Sequence, residues 1–279
     1  MPETPTFKLR TILLPVDFSQ GNLSAARQAG IVARQFNATV ILLHVNSLSP
    51  WSPLPENDSP EERLEKFGVN ELRDVALKRV ITSGDPAKKV VECAQDADCD
   101  LILLPIHGEG PIRRFLFGSV TSKVLDSATC PVGTLPKSTE EESKRTTVSR
   151  VLCAVNFTPQ SSRALLWAAE LANSFDAQLT AVYVLPENMP REVPEQYRRQ
   201  WDEGALTVME ARLRKLVQES GVQAQIVVGQ GETSTTLANI ARVEKADLLV
   251  IGRKSGSNGR LGRNVYAIVR HVSCPVVSV

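Results

Sequence analysis

The segments TILLPVDFS at 11–19 and RVLCAVNFT at 150–158 decide the reading of this chain, because they are one element written twice. They stand 139 residues apart. The offset holds into the next element, where NATVILLHV at 37–45 aligns with DAQLTAVYV at 176–184. It then becomes 147, with DCDLILLP at 98–105 against KADLLVIG at 245–252. Both copies close alike, on TCPVGTL at 129–135 and SCPVVSV at 273–279. Four matches in one order mark a duplicated domain, and the period is far too long for a solenoid unit. Between the copies, PKSTEEESKRTTVS at 136–149 is charged and almost free of apolar side chains. Such a segment has nothing to bury and reads as a linker. The expected division is a first domain at 1–137, a linker at 138–148 and a second domain at 149–279. A chain of 279 residues is comfortable for two such domains.

Within each copy, short apolar runs alternate with amphipathic segments. The first copy offers strands at 11–16, 39–45, 78–82, 100–105 and 131–135. Between the first two, Ala26, Ala29, Ala33 and Phe36 recur at helical spacing, as do Leu165, Ala168, Ala172 and Phe175 in the second copy. Runs such as ILLPV and LILLP lack the alternation of a half-exposed strand. They suit strands buried on both faces, as in a parallel sheet covered by helices. The expected fold is α/β, with two repeated, five-stranded, open, doubly wound parallel sheets. Ligands of such sheets lie at the carboxyl ends of strands where the strand order reverses.

Composition removes several function classes. Apolar residues make up 42%, enough for two cores, and 32 basic side chains meet 31 acidic ones. That balance argues against a nucleic-acid binder, which carries a basic excess. No run approaches the roughly 20 apolar residues of a membrane span. The opening MPETPTFKLR lacks the apolar core of a signal peptide, so a cytoplasmic location is expected. The five cysteines, 93, 99, 130, 153 and 274, contain no CxxC pair and read as buried free thiols. Cys130 and Cys274 occupy matching positions and speak for duplication.

After the first strand come Pro15, Val16, Asp17, Phe18 and Ser19, and the second strand ends in His44 and Val45. The fourth strand runs into Pro105-Ile-His107-Gly108. Nine residues then separate Gly108 from Gly118-Ser119-Val120-Thr121, which opens a helical pattern. Here the chain resembles the universal stress protein family, as a tandem two-domain member. Nucleotide-binding members of that family carry G-x2-G-x9-G-[ST] after strand four, a proline and aspartate after strand one, and a final CPV strand. The resemblance implies an adenine nucleotide, ATP with Mg²⁺, in the first domain, held by Pro15, Val16, Asp17, Val45, His107, Gly108, Gly118, Ser119, Val120 and Thr121. The physical reasons are consistent with it. A helix N-terminus presents unpaired N–H groups and positive dipole character to phosphate. Glycines at 108 and 118 allow close backbone approach, and Ser119 and Thr121 add hydroxyl donors. Asp17 would accept from a ribose or stand near Mg²⁺, and Val16 and Val45 would flank the base. No protein cluster of metal ligands is expected.

The copies depart from that pattern unequally. In the first, Pro105 stands where the pattern has its first glycine, removing an N–H and adding a ring. In the second, Ala154 and Asn156 replace the proline and aspartate, Ser255 stands for Gly108, and Arg263 stands for Ser119. Gly252 restores the first glycine, but the loop to Gly262 is three residues shorter. The second domain is therefore read as a degenerate site with no nucleotide. Gly229-Gln-Gly231-Glu-Thr-Ser imitates a dinucleotide fingerprint but lacks the third glycine and follows the wrong strand. With its counterpart Gly84-Asp-Pro86 it reads as a helix-capping turn. The histidines, 44, 107 and 271, form no close-spaced set, and no nucleophile–base pair is evident. No catalytic residue is assigned, and the chain is at most a slow ATPase.

Two readings remain open from the sequence. One is a stress-response binding protein holding ATP in its first domain. The other is a nucleotide-free interaction or scaffold protein, with both ancestral sites lost and a protein partner the sequence does not name. Fold alone does not separate them.

The last strand of each copy, around Val132 and Val276, is expected at a sheet edge with unpaired N–H and C=O groups. The resemblance implies that such strands pair, giving an intrachain pseudo-dimer, with a homodimer of chains also open. The linker keeps the second strand at an effective concentration near millimolar. In amide hydrogen exchange of the intact chain, the strand expected at 131–135 and the terminal VVSV at 276–279 are expected to be protected like core strands. Rapid exchange at every second amide, the signature of an open edge, would refute the pairing.

Overall fold

A computed structural model of the chain describes residues 7–46, 59–106, 118–136, 146–186, 195–253 and 263–279. The chain divides into two compact units, with the change from one to the other between Thr147 and Val148.

The first unit contains β1 (Thr11–Val16), α1 (Gln20–Phe36), β2 (Thr39–Asn46), α2 (Pro60–Lys66), β3 (Ala76–Ser83), α3 (Pro86–Asp96), β4 (Leu101–Pro105), α4 (Ser119–Ser127) and β5 (Val132–Leu135). Its strands lie in the order β3-β2-β1-β4-β5, and every pairing is parallel. The second unit contains β6 (Arg150–Ala154), α5 (Pro159–Phe175), β7 (Gln178–Leu185), α6 (Glu195–Glu219), β8 (Gln225–Gln230), α7 (Thr233–Val243), β9 (Leu248–Ile251), α8 (Arg263–His271) and β10 (Val276–Ser278). Its order is β10-β9-β6-β7-β8, again all parallel. Each unit is the doubly wound sheet expected from its continuous apolar runs.

The central strands are buried on both faces. Ile12, Leu13 and Leu14 of β1 have no exposed surface, and all five residues of β4 are buried. Ala26, Ala29 and Ala33 are the buried, small-residue face of α1, and in α5 the matching buried positions are Leu165, Ala168 and Ala172. Small side chains let a helix lie close to the strands. At the strand starts, one aspartate clips each sheet together. Asp100 Oδ2 accepts from the N–H groups of Arg10 and Thr11, and Asp247 Oδ2 accepts from those of Ser149 and Arg150.

The backbone repeats at its difficult points as well. Phe18 and Phe157, Asn37 and Asp176, and Asp98 and Lys245 are pairs of non-glycine residues with positive φ. Asn37 and Asp176 end α1 and α5 in the left-handed conformation, each returning an N–H to the helix. Cys99, Cys153 and Cys274 are buried, while Cys93 and Cys130 are half-buried, and none of the five is in a disulfide. Burial pushes the Cys99 thiol up to about 12 and raises Cys153 further, which leaves both unreactive at neutral pH.

The glycine pairs at the third strands are turns. Gly84 and Gly231 have φ of 137° and 131°, which a side chain rarely adopts. Asp85 then caps α3 by accepting from Lys88 N–H, and Glu232 caps α7 by accepting from Ser234 and Thr235 N–H. These backbone bonds hold the Glu232 carboxyl at about 2, below its ordinary 4.5. A group depressed in this way stabilises the fold fully above its unfolded value and loses that contribution as pH falls through its folded value. Glu232→Ala is expected to cost about 1 kcal/mol at neutral pH. The gap between variant and parent in denaturant titrations should close between about pH 4.5 and pH 2. A gap independent of pH would show that the carboxylate is not the cap.

Candidate functional site

The strand order reverses at β1 in the first unit, between β2 on one side and β4 on the other. Helix α1 leaves the end of β1 and α4 follows the end of β4, so two helix N-termini open at the same edge of the sheet. The turn after β1 is built by Asn22, a buried side chain. Its Nδ2 donates to the Pro15 carbonyl at 3.0 Å, and its Oδ1 accepts from Asp17 N–H at 2.8 Å. Asp17 is exposed, and its Oδ1 accepts from Ser19 N–H at 2.9 Å. This folds the chain sharply and places Phe18 at φ 62°.

Phe18 completes a stack. Its ring lies 4.6 Å from that of His44, whose Nδ1–H donates to the Val16 carbonyl at 2.8 Å. The Arg63 guanidinium lies over the other part of the cluster, 4.3 Å from the Phe18 centroid. Phe67 meets Phe18 edge-on at 6.2 Å. Val16 is buried and Val45 half-buried at the neighbouring strand ends.

Helix α4 begins at Gly118, whose conformation is extended and which carries no side-chain cap. A Cβ at Gly118 would meet only Thr121 Oγ1, at 3.9 Å, among the described residues. Ser119 is exposed, Val120 half-buried and Thr121 buried. The expected residues Pro15, Val16, Asp17, Val45, Gly118, Ser119, Val120 and Thr121 thus lie at the carboxyl edge of the sheet or at the helix starts beyond it. His107 and Gly108 lie outside the described residues. Pro105 is buried at the end of β4, in register with Leu135.

The second unit builds the same turn from other side chains. Ser161 stands at the place of Asn22, accepting from Asn156 and Thr158 N–H and donating to the Thr158 carbonyl. Asn156 Oδ1 accepts from Thr158 N–H at 3.3 Å, as Asp17 does for Ser19. Phe157 lies 4.9 Å from Tyr183 with Arg212 at 4.2 Å over its ring. Gly252 has a cause different from phosphate approach. A Cβ there would stand 2.7 Å from Ser161 N and 2.8 Å from the carbonyl carbon of Gln160, so glycine is required by the start of α5. At the ends of β6, β7 and β9 this unit holds a cavity of about 460 Å³. Among the described residues, no group of three or more metal-binding side chains is present and no helix is long and apolar enough to cross a membrane.

The sequence reading missed Asn22 and the two arginines. Asn22 and Ser161 do align at the 139-residue offset, and two small polar residues at one helical position were the available signal. Arg63 and Arg212 do not align at that offset, because α6 is far longer than α2.

These features define an α/β protein of two doubly wound units, with the strand order reversing at β1 and at β6 and a cavity at that place in the second. The universal stress protein family matches at residues 8–135 and again at 147–279, and the chain belongs to that family. A universal stress protein of Methanocaldococcus jannaschii is 32% identical over 144 residues, 47% of this chain and 85% of that protein. One from Mycobacterium tuberculosis is 22% identical over 288 residues, spanning 99% of this chain and 97% of its own. The solved structure of a universal stress protein from Archaeoglobus fulgidus is similar with a TM-score of 0.70 at 18% identity, covering 97% of this chain and 96% of that one.

Asn22→Ala removes both partners of the turn and leaves the Pro15 carbonyl and Asp17 N–H without them. The expected cost is about 1–3 kcal/mol in chemical denaturation. A change below about 0.5 kcal/mol would mean that the turn holds without this side chain.

Proposed function

We propose that this tandem universal stress protein binds ATP, with Mg²⁺, in its first unit. The observation that carries the reading is the state of the helix N-termini. Caps are described for α1 to α5 and α7. Four of these helices take a side-chain cap: α2 from Ser59, α3 from Asp85, α5 from Thr158 and α7 from Glu232. Among the described residues, helices α1 and α4 take none, and neither has an acidic residue in its first turn. They are the two that open at the crevice beyond β1 and β4. Helix-start N–H groups without a side-chain cap, together with the aligned dipoles, favour a polyanion there. In the second unit the counterpart of α1 is closed by its own capping box of Thr158 and Ser161.

In this reading Ser119 and Thr121 at the start of α4 face the phosphates, Val16 and Val45 flank the base, and Asp17 serves the ribose or the ion. His107 and Gly108 would complete the phosphate contacts. The chain acts as a nucleotide-responsive binding protein, and no described side chain is assigned to water activation.

Calorimetric titration of the intact chain with MgATP is expected to give one nucleotide per chain. Ser119→Asp places a carboxylate at the phosphate position and should weaken binding at least tenfold, about 1.4 kcal/mol. Arg263→Asp, at the matching position of the second unit, should leave it unchanged. Two nucleotides per chain, or equal effects of the two variants, would overturn the assignment to the first unit.

A further inference from the structure

The cavity of the second unit lies where the first unit's candidate nucleotide site would lie by repeat. Its walls include Val182, Val184, Leu237 and Ile268, and its polar groups include Asn156, Ser161 and Tyr183. None of its described lining residues is Asp, Glu, Lys, Arg or His. The matching positions of the first unit include two titratable groups, Asp17 and His44, which correspond to Asn156 and Tyr183. Two rings have also been removed, since Pro15 corresponds to Ala154 and Pro105 to Gly252. At one place, therefore, the second unit lacks the carboxylate of Asp17 and the rings of Pro15 and Pro105. The serine at the start of α4 has meanwhile become Arg263, and the helix start at the end of β6 is capped internally.

From this we infer that the second unit binds an uncharged nucleoside, without phosphates, in the cavity at the ends of β6, β7 and β9. The inference rests on the nucleotide reading of the first unit's matching site. A volume of about 460 Å³ lies within the range of small-molecule pockets. The valine walls suit the faces of a base, which are apolar and need no partner. The Asn156 amide and the Tyr183 hydroxyl are neutral donors and acceptors for ribose hydroxyls or base edges, while the Ser161 hydroxyl is spent on the turn. Burying a phosphate against these walls would cost desolvation that no described lining cation offsets. A neutral ring compound meets no such penalty. The two units then discriminate by charge: the first takes the polyanion and the second the neutral nucleoside.

Adenosine and MgATP are the probes, with the intact chain, read by ligand-observed NMR and calorimetry. Ala154→Leu fills the cavity, and Thr233→Trp narrows it from the start of α7, in case the first variant fails to fold by circular dichroism. Adenosine is expected to bind the parent chain, and either folded variant should weaken it at least tenfold while leaving MgATP binding unchanged. In the Ser119→Asp chain adenosine binding should persist, and MgATP should not displace it. Absence of adenosine binding, indifference to both cavity variants, or displacement by MgATP at comparable concentration would overturn the inference. If the parent binds adenosine in the cavity but no MgATP anywhere, the first-unit reading fails and the second-unit site stands.

Discussion

Each unit depends on its middle strand, β1 in the first and β6 in the second, which is paired in parallel on both sides and is where the strand order reverses. Such a strand has both edges filled by hydrogen bonds and both faces covered by helices, so its residues are almost wholly apolar. The chain leaves it by a helix that returns to one neighbour, while the other neighbour is joined onward. Right-handed crossovers then place the two connecting helices on opposite faces. The gap between them is a consequence of the winding and needs no functional residue to create it. What occupies the gap is decided by the few side chains at the strand ends.

The duplication separates these two kinds of requirement. Features that the backbone demands are retained in both units. The aspartate clip at Asp100 and Asp247, the positive φ of Phe18 and Phe157, and the glycine turns at Gly84 and Gly231 are present twice. Asp17 and Asn156 show where the demand ends. Either side chain supplies the oxygen that accepts from the N–H two residues on, so the turn does not require the charge. The carboxylate of Asp17 is therefore a difference of chemistry laid on an unchanged fold. The same holds for the arginine–aromatic stacks, in which His44 of one unit is Tyr183 of the other with a similar ring geometry.

The helix starts follow the same division. Where α2, α3, α5 and α7 begin, a side chain accepts from the first N–H groups. Where α1 and α4 begin, none does. A capping hydrogen bond contributes about 1 kcal/mol, so a helix that begins without one forgoes that stability. Glu232 illustrates the opposite choice, with its carboxyl held near 2 by the backbone it caps.

By itself the sequence determined the duplication, the parallel α/β fold and the edge of the sheet at which ligands would lie. Those properties are carried by local signals: continuous apolar runs, helical spacing of small residues, and matched segments in a fixed order. Tertiary structure alone decided which residues meet there. Asn22 is a plain polar residue in sequence and becomes the centre of a turn only because α1 folds back on β1. Gly252 matched a phosphate-loop pattern, yet its missing Cβ makes room for the backbone of Gln160 and Ser161. Arg63 and Arg212 share a role without sharing an offset, because helices of unequal length bring them to equivalent rings. Contacts between elements distant in the chain obey distance and angle, which no spacing along the sequence records.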